Sequence, residues 1–184
     1  VGDAVTLPIS PAPHLPAFRL AAVVLCAAGL LWAGLRGLEY GQISQGDQAQ
    51  AQGDTATALA HYQAAARFNP LDAAPRKALA GLSLAAPANS AQQAAGLDAA
   101  RQAVALAGYD PETHYLLARH YQQRGNPGDA EQSLQELTLA ASLRHPSQAP
   151  YIFAELGRSY LAAGRLTEAR DLYRALVRAG VTAM

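Results

Sequence analysis

Cysteine, lysine, aromatic residues and charge are all scarce in this chain. Of 184 residues one is cysteine, Cys26, and one is lysine, Lys77. A lone cysteine forms neither an internal disulfide nor a thiolate metal cluster. Charged residues make up 15% of the chain, against a usual ~25%. The 14 basic and 14 acidic side chains cancel. Nucleic-acid binding needs a basic stripe to neutralise phosphates, so zero net charge argues against it. Aromatics are 7% of residues although half the chain is hydrophobic. Alanine, nearly a quarter of the residues, makes up the difference. Alanine favours closely packed helices and makes poor sheets, so the composition points to an all-α protein.

What is present is, first, an uncharged run. LAAVVLCAAGLLWAGL extends from Leu20 to Leu35 between Arg19 and Arg36. As a helix it spans about 24 Å, short of the ~30 Å hydrocarbon core. Residues 16–38, with both arginines snorkelling outward, complete a crossing. Pro16 suits the first helical turn. Leu20, Val23, Val24, Leu25, Leu30, Leu31, Trp32 and Leu35 are the expected lipid-facing anchor, with Trp32 and Tyr40 near an interface. Two rivals stand beside this reading, a cleaved signal peptide and a buried helix of a soluble domain. Against the first, Asp3 and four prolines precede the run, no lysine does, and no small-x-small site follows it. Val23, Val24 and Leu25 before Cys26 do not make a lipoprotein cleavage site. Residues 1–15 are proline-rich and expected to be extended, lying along a partner protein. The chain begins with Val1, which fits a processed chain or part of a longer product.

The second feature is internal repetition. GDTATALAHYQAAARFNP (53–70), GNPGDAEQSLQEL (125–137) and GRLTEARDLYRAL (164–176) share offsets. The matching positions are Gly53, Ala58 and Tyr62; Gly125, Ala130 and Leu134; Gly164, Ala169 and Tyr173. LARHY (117–121) and LGRSY (156–160) precede the last two, and LAGLS from Leu79 is a weaker copy. The small residues Gly46, Ala80, Ala118 and Gly157 are expected to let paired helices approach. Gly53, Gly125 and Gly164 are expected to take the positive φ that ends each first helix. Tyr62, Leu134 and Tyr173 are expected to fill the gap towards the next repeat, and Pro70 and Pro111 to stop the second helices.

This pattern is similar to the tetratricopeptide repeat, a helix–turn–helix unit, over about residues 39–183. The resemblance implies that an α-solenoid of about four repeats, at 39–72, 73–111, 111–146 and 150–183, follows the transmembrane helix read from the apolar run. The second would carry an insertion around 86–91. The first repeat has Gln45 and Ala49 where leucine and tyrosine are usual. Carried over residue by residue, the family's groove positions fall on Lys77 and Gly81, then Tyr115, Arg119, Gln122 and Gln123, then Tyr151, Arg158 and Leu161. Lys77, Arg119 and Arg158 would form a basic ladder, with Tyr115 and Tyr151 between, suited to an extended peptide bearing carboxylates.

Nothing in the sequence points to catalysis, a cofactor or a metal. His14, His61, His114, His120 and His145 show no metal spacing and read as surface residues. Glu131 and Glu136 read as members of a solvated helix face. No phosphate loop, nucleophile elbow or haem motif occurs. The expected function is that of a membrane-anchored scaffold or accessory subunit, not an enzyme. It would meet other membrane-complex proteins through the anchor helix, the tail and the groove, with the bilayer as its other partner. The nearly lysine-free, arginine-rich composition suggests a bacterial inner-membrane protein, single-pass, with periplasmic repeats. Two alternatives remain. One is the C-terminal part of a polytopic enzyme similar to O-antigen ligases or polymerases. The other is an assembly factor for a pilus, secretion or electron-transfer complex.

Overall fold

The computed structural model describes residues 15–85 and 90–180. The expected proline-rich tail and most of the expected insertion, residues 86–89, lie outside the described residues. Among the described residues the chain is all-α, without strands. The helices are α1 (Leu15–Ala51), α2 (Thr55–Phe68), α3 (Ala74–Ala85), α4 (Ser90–Leu106), α5 (Pro111–Arg124), α6 (Asp129–Ser142), α7 (Pro150–Ala162) and α8 (Leu166–Arg178). They pack mainly against their neighbours in sequence, and α3 also meets α5. This is the economy of a solenoid, in which each hairpin is held by the next.

The interior is built largely from alanine. Ala58, Ala65, Ala80, Ala100, Ala103, Ala118 and Ala140 are fully buried, with Tyr62, Leu137 and Ile152 as the bulk between them. Small side chains set a short distance between helix axes, and two glycines shorten it further. A Cβ on Gly46 would stand 2.5 Å from the Tyr62 ring, and one on Gly157 would stand 2.5 Å from the Tyr173 hydroxyl. Gly96 is as crowded, against Ser83 and His120. Tyr62 also meets Leu82 of the next hairpin, and Leu134 packs with Leu156. Tyr173, in the last described hairpin, turns back onto Gly157.

The turn glycines behave as their spacing requires. Gly53, Gly125 and Gly164 have φ of 78°, 63° and 71°. Pro70 follows the end of α2, but Pro111 does not stop α4, which ends at Leu106. It opens α5, where its missing N–H costs nothing, and the Asp110 carboxylate caps the turn by accepting from Glu112 N at 3.0 Å. Ala130 is exposed despite its matching offset. After a second positive-φ glycine, Gly128, Asp129 faces inward and pairs with Arg124.

α1 crosses the expected boundary at residues 38 and 39 without a break. Its 37 residues make a rod about 56 Å long. From Leu20 to Leu35 every residue is exposed, whereas Glu39, Gly46 and Ala49 are buried against the first hairpin. Arg36 stands at the changeover and does not simply reach outward. Its Nη1 lies 3.2 Å from Glu39 Oε2 and 2.5 Å from Asp72 Oδ2. Its guanidinium also lies 5.5 Å from the Trp32 ring centroid and 5.7 Å from that of Tyr40.

Candidate protein-binding face

Of the expected groove residues, the first helices bring Tyr115, Arg119 and Gln122 of α5 beside α7, whereas Gln123 turns towards α4 and lines a recess with Arg101 and His120. Tyr115 of α5 and Tyr151 of α7 meet edge to face, with ring centroids 5.0 Å apart. Arg119 donates to the Tyr115 hydroxyl at 3.1 Å and covers its ring. Gln122 Nε2 donates to Ser159 Oγ at 3.2 Å, linking α5 to α7 a turn further on. Tyr151 is half-exposed, and burial together with the nearby Glu112 carboxylate pushes its hydroxyl pKa up. It therefore stays a neutral donor across the physiological range.

The three cations differ in their surroundings. Lys77 Nζ lies 2.7 Å from Asp110 Oδ2 and 2.5 Å from Glu112 Oε2. Burial pushes its pKa down, but those two carboxylates outweigh it and the net shift is upward. Arg158 pairs with Glu155 on its own helix. Arg119 has no carboxylate partner among the described residues. The strip is therefore aromatic and charge-alternating, with one cation available, where the sequence led us to expect three. Gly81 is half-buried on α3, Gln123 is exposed on α5 and Leu161 is exposed on α7.

Two histidines depart from expectation. His114 and His120 are buried, at 3% and 2% exposure, not on the surface. His114 Nδ1 lies 2.6 Å from Glu136 Oε2, and Nε2 lies 2.9 Å from the Gly108 carbonyl. Glu136 is thus a partner across the α5–α6 pair, not a solvated bystander. His120 Nε2 lies 3.1 Å from the Ala80 carbonyl of α3, and burial holds its pKa below the usual imidazole value. His114 ties the two helices of one hairpin and His120 ties two hairpins, across 22 and 40 residues of sequence, distances that local spacing does not register.

A recess of about 370 Å³ between α2, α3 and α4 is lined by Leu59, Leu79, Leu82 and Ala99 among others, without an ionisable side chain. No cluster of three metal-ligating side chains occurs among the described residues. The geometry offers surfaces for binding.

The family model for the tetratricopeptide repeat matches residues 40–64, 111–136 and 150–175. The chain is a tetratricopeptide repeat protein. The second hairpin falls outside the matched stretches and still stacks in register between them. Among solved structures, a crystal structure of MamA superposes with a TM-score of 0.64 at 15% identity, covering 78% of this chain and 73% of that one. PilF of Pseudomonas aeruginosa gives 0.64 at 18% identity, covering 79% and 63%. TTC0263, a thermophilic tetratricopeptide repeat protein of Thermus thermophilus, gives 0.59 at 24% identity, covering 76% and 73%. At these identities the likeness is one of fold. No match is found among curated proteins. Tetratricopeptide repeat proteins are in general interaction scaffolds without enzymatic activity, and this chain carries the same architecture.

Proposed function

We propose that this protein is a single-pass membrane scaffold or accessory subunit that holds partner proteins beside a bacterial membrane. The observation that carries the reading is α1. Its apolar segment is long enough to cross a bilayer, none of it is buried, and the same unbroken helix forms the first wall of the solenoid. Exposing that many large apolar side chains to water is unfavourable, and lipid removes the cost. Anchoring also raises the local concentration of the solenoid at membrane partners without any new contact. The Tyr115–Tyr151 strip is the docking surface, with Arg119 as the cation available to a carboxylate on the bound segment. The inner membrane, with repeats in the periplasm, is the location we propose.

Purification of the full chain in mild detergent, followed by mass spectrometry of co-purifying proteins, tests the scaffold reading. A stable set of membrane-complex proteins is expected, and recovery of the chain alone would reject it. Within that assay Arg119→Glu together with Arg158→Glu separates the strip from other surfaces. Partner retention should fall with the helical signal unchanged. Unaltered retention would remove the strip as the docking surface.

A further inference from the structure

We infer that the protein rests on the bilayer at a second place, through the turns that precede α3 and α5. The inference builds on the anchor reading above and adds to it a lipid contact made by the solenoid itself. Leu71 and Tyr109 are the two most exposed large apolar side chains among the described residues, at 81% and 80%. Leu71 sits in the turn between α2 and α3, and Tyr109 in the turn between α4 and α5. Successive helices of a solenoid run back and forth, so these two turns lie at one end of it. That end is the one where α1 emerges from its apolar segment. At the other end, the turns closing α1, α5 and α7 are Gln52-Gly53-Asp54, Gly125-Asn126-Pro127-Gly128 and Ala163-Gly164-Arg165, where Leu166 of α8 is a large apolar side chain beside them, at 66% exposure.

The height of Leu71 relative to the anchor is fixed by hydrogen bonds. Its backbone N–H donates to Asn69 Oδ1 at 3.3 Å, and Asn69 Nδ2 donates to Glu39 Oε2 of α1 at 2.9 Å. The next residue, Asp72, holds Arg36 of α1 at 2.5 Å. Leu71 is therefore clamped from both sides at the level of Arg36. Trp32 and Tyr40, one helical turn to either side of Arg36 on α1, are both exposed, as aromatic side chains at a lipid–water boundary are. The clamp is then repeated one hairpin on. Lys77, at the start of α3, holds Asp110, the neighbour of Tyr109. Asp72 and Asp110 each also accept from the backbone of the helix they precede, so both turns are rigid.

The attraction is apolar. Carboxylates of Glu39, Asp72, Asp110 and Glu112 outnumber the cations Arg36 and Lys77 in the two clamps, so anionic headgroups are not what the surface selects. A leucine and a tyrosine at fixed height suit the zone between headgroup and acyl chain, where a tyrosine keeps its hydroxyl wet and its ring dry. Two contacts off the helix axis would also stop the solenoid from swivelling about α1.

The chain's single tryptophan provides the test. The full chain is reconstituted into vesicles of phosphatidylcholine, with and without phosphatidylcholine brominated high on its acyl chains. Native Trp32 reports whether α1 is in lipid. In a Trp32→Phe background, Leu71→Trp, Tyr109→Trp and Gln52→Trp are then compared, with aqueous iodide as the opposing quencher. Both turn reporters should be quenched by brominated lipid and shielded from iodide, and the Gln52→Trp reporter should behave in the reverse way. Lipid quenching of native Trp32 with both turn reporters open to iodide alone would overturn the second contact and leave the anchor standing. It would assign those turns to a protein partner or to water. Failure of brominated lipid to quench Trp32 would overturn the anchor and this contact together.

Discussion

The two halves of α1 are one unbroken helix with opposite fates. Leu20–Leu35 is rich in alanine, leucine and glycine, and all of it is exposed. From Glu39 onward the helix has glutamine in place of leucine, and it buries one face against α2 and the loop beyond it. The difference lies in periodicity. The first half is apolar all round, as a helix in lipid is, and the second has small residues, Gly46 and Ala49, where the partner approaches. Exposure thus separates an unpacked apolar surface from a protein-facing one inside a single helix.

One substitution made in both kinds of alanine breaks or sharpens that comparison, and its effects are the largest expected. Ala100 is fully buried among Leu97, Leu116, Leu117 and Tyr121. Ala100→Asp puts an unpaired carboxylate there, which is expected to cost more than about 4 kcal/mol. Circular dichroism should show loss of helix from the central hairpins. Ala28 is exposed on the apolar half. Ala28→Asp should leave the solenoid's helicity intact and lower the membrane-bound fraction after carbonate extraction. A central aspartate opposes insertion by about 2.5–3.5 kcal/mol. An equal loss of helicity in both variants would mean that the apolar half belongs to the protein core.

Glycine gives a smaller and cleaner contrast. Gly41 and Gly46 lie on the same helix, five residues apart. A Cβ on Gly41 meets nothing within 4 Å, whereas one on Gly46 would run into the Tyr62 ring. Tyr62 cannot easily move, since its hydroxyl donates to Asp47 Oδ1 at 2.7 Å and its ring is fully buried. Gly41→Ala should therefore stabilise by about 0.5–1 kcal/mol through helix propensity. Gly46→Ala should destabilise by about 1–3 kcal/mol through overpacking. Urea unfolding of the two variants in detergent reads the sign directly. A stabilising Gly46→Ala would show that α1 and α2 do not approach as closely as described.

These contrasts also show which parts of the molecule can be read from the sequence. Gly46 and Gly157 stood out because their small size recurs at a fixed offset from an aromatic residue. The turn glycines stood out for the same reason. Properties set by residues far apart did not. Arg36 reads as a residue flanking an apolar run, and its partner Asp72 is 36 positions away. His114 and His120 read as polar residues on a helix, and only the packed helices supply Glu136 and the Ala80 carbonyl that they meet. Ala130 kept its offset and lost its place inside, where Asp129 is buried against Arg124. In the proposed docking strip, repeat offsets say nothing of the pairing. Lys77 is on the expected helix, yet Asp110 and Glu112 claim its charge.

That pairing is the basis of the last and smallest contrast, between Lys77 and Arg119. Burial pushes the Asp110 carboxyl up, but the Lys77 ammonium and the Glu112 N–H together hold it below the usual carboxylate range. A lowered acid contributes stability above its unfolded pKa, near ~3.9, and loses it as pH falls through the folded value. Lys77 is shifted upward, so its contribution is complete below the unfolded value, near ~10.4, and is lost as pH rises through the folded one. Between those limits the pair is intact and its own contribution to stability should be flat with pH. Lys77→Met should lower the plateau and weaken the pH dependence at both ends. Arg119→Met should leave the acid end unchanged, because Arg119 has no carboxylate partner among the described residues. Thermal melts from pH 3 to pH 11 distinguish the two. Equal profiles for both variants would mean that Lys77 is a free cation after all, which would return it to the set of charges open to a bound peptide.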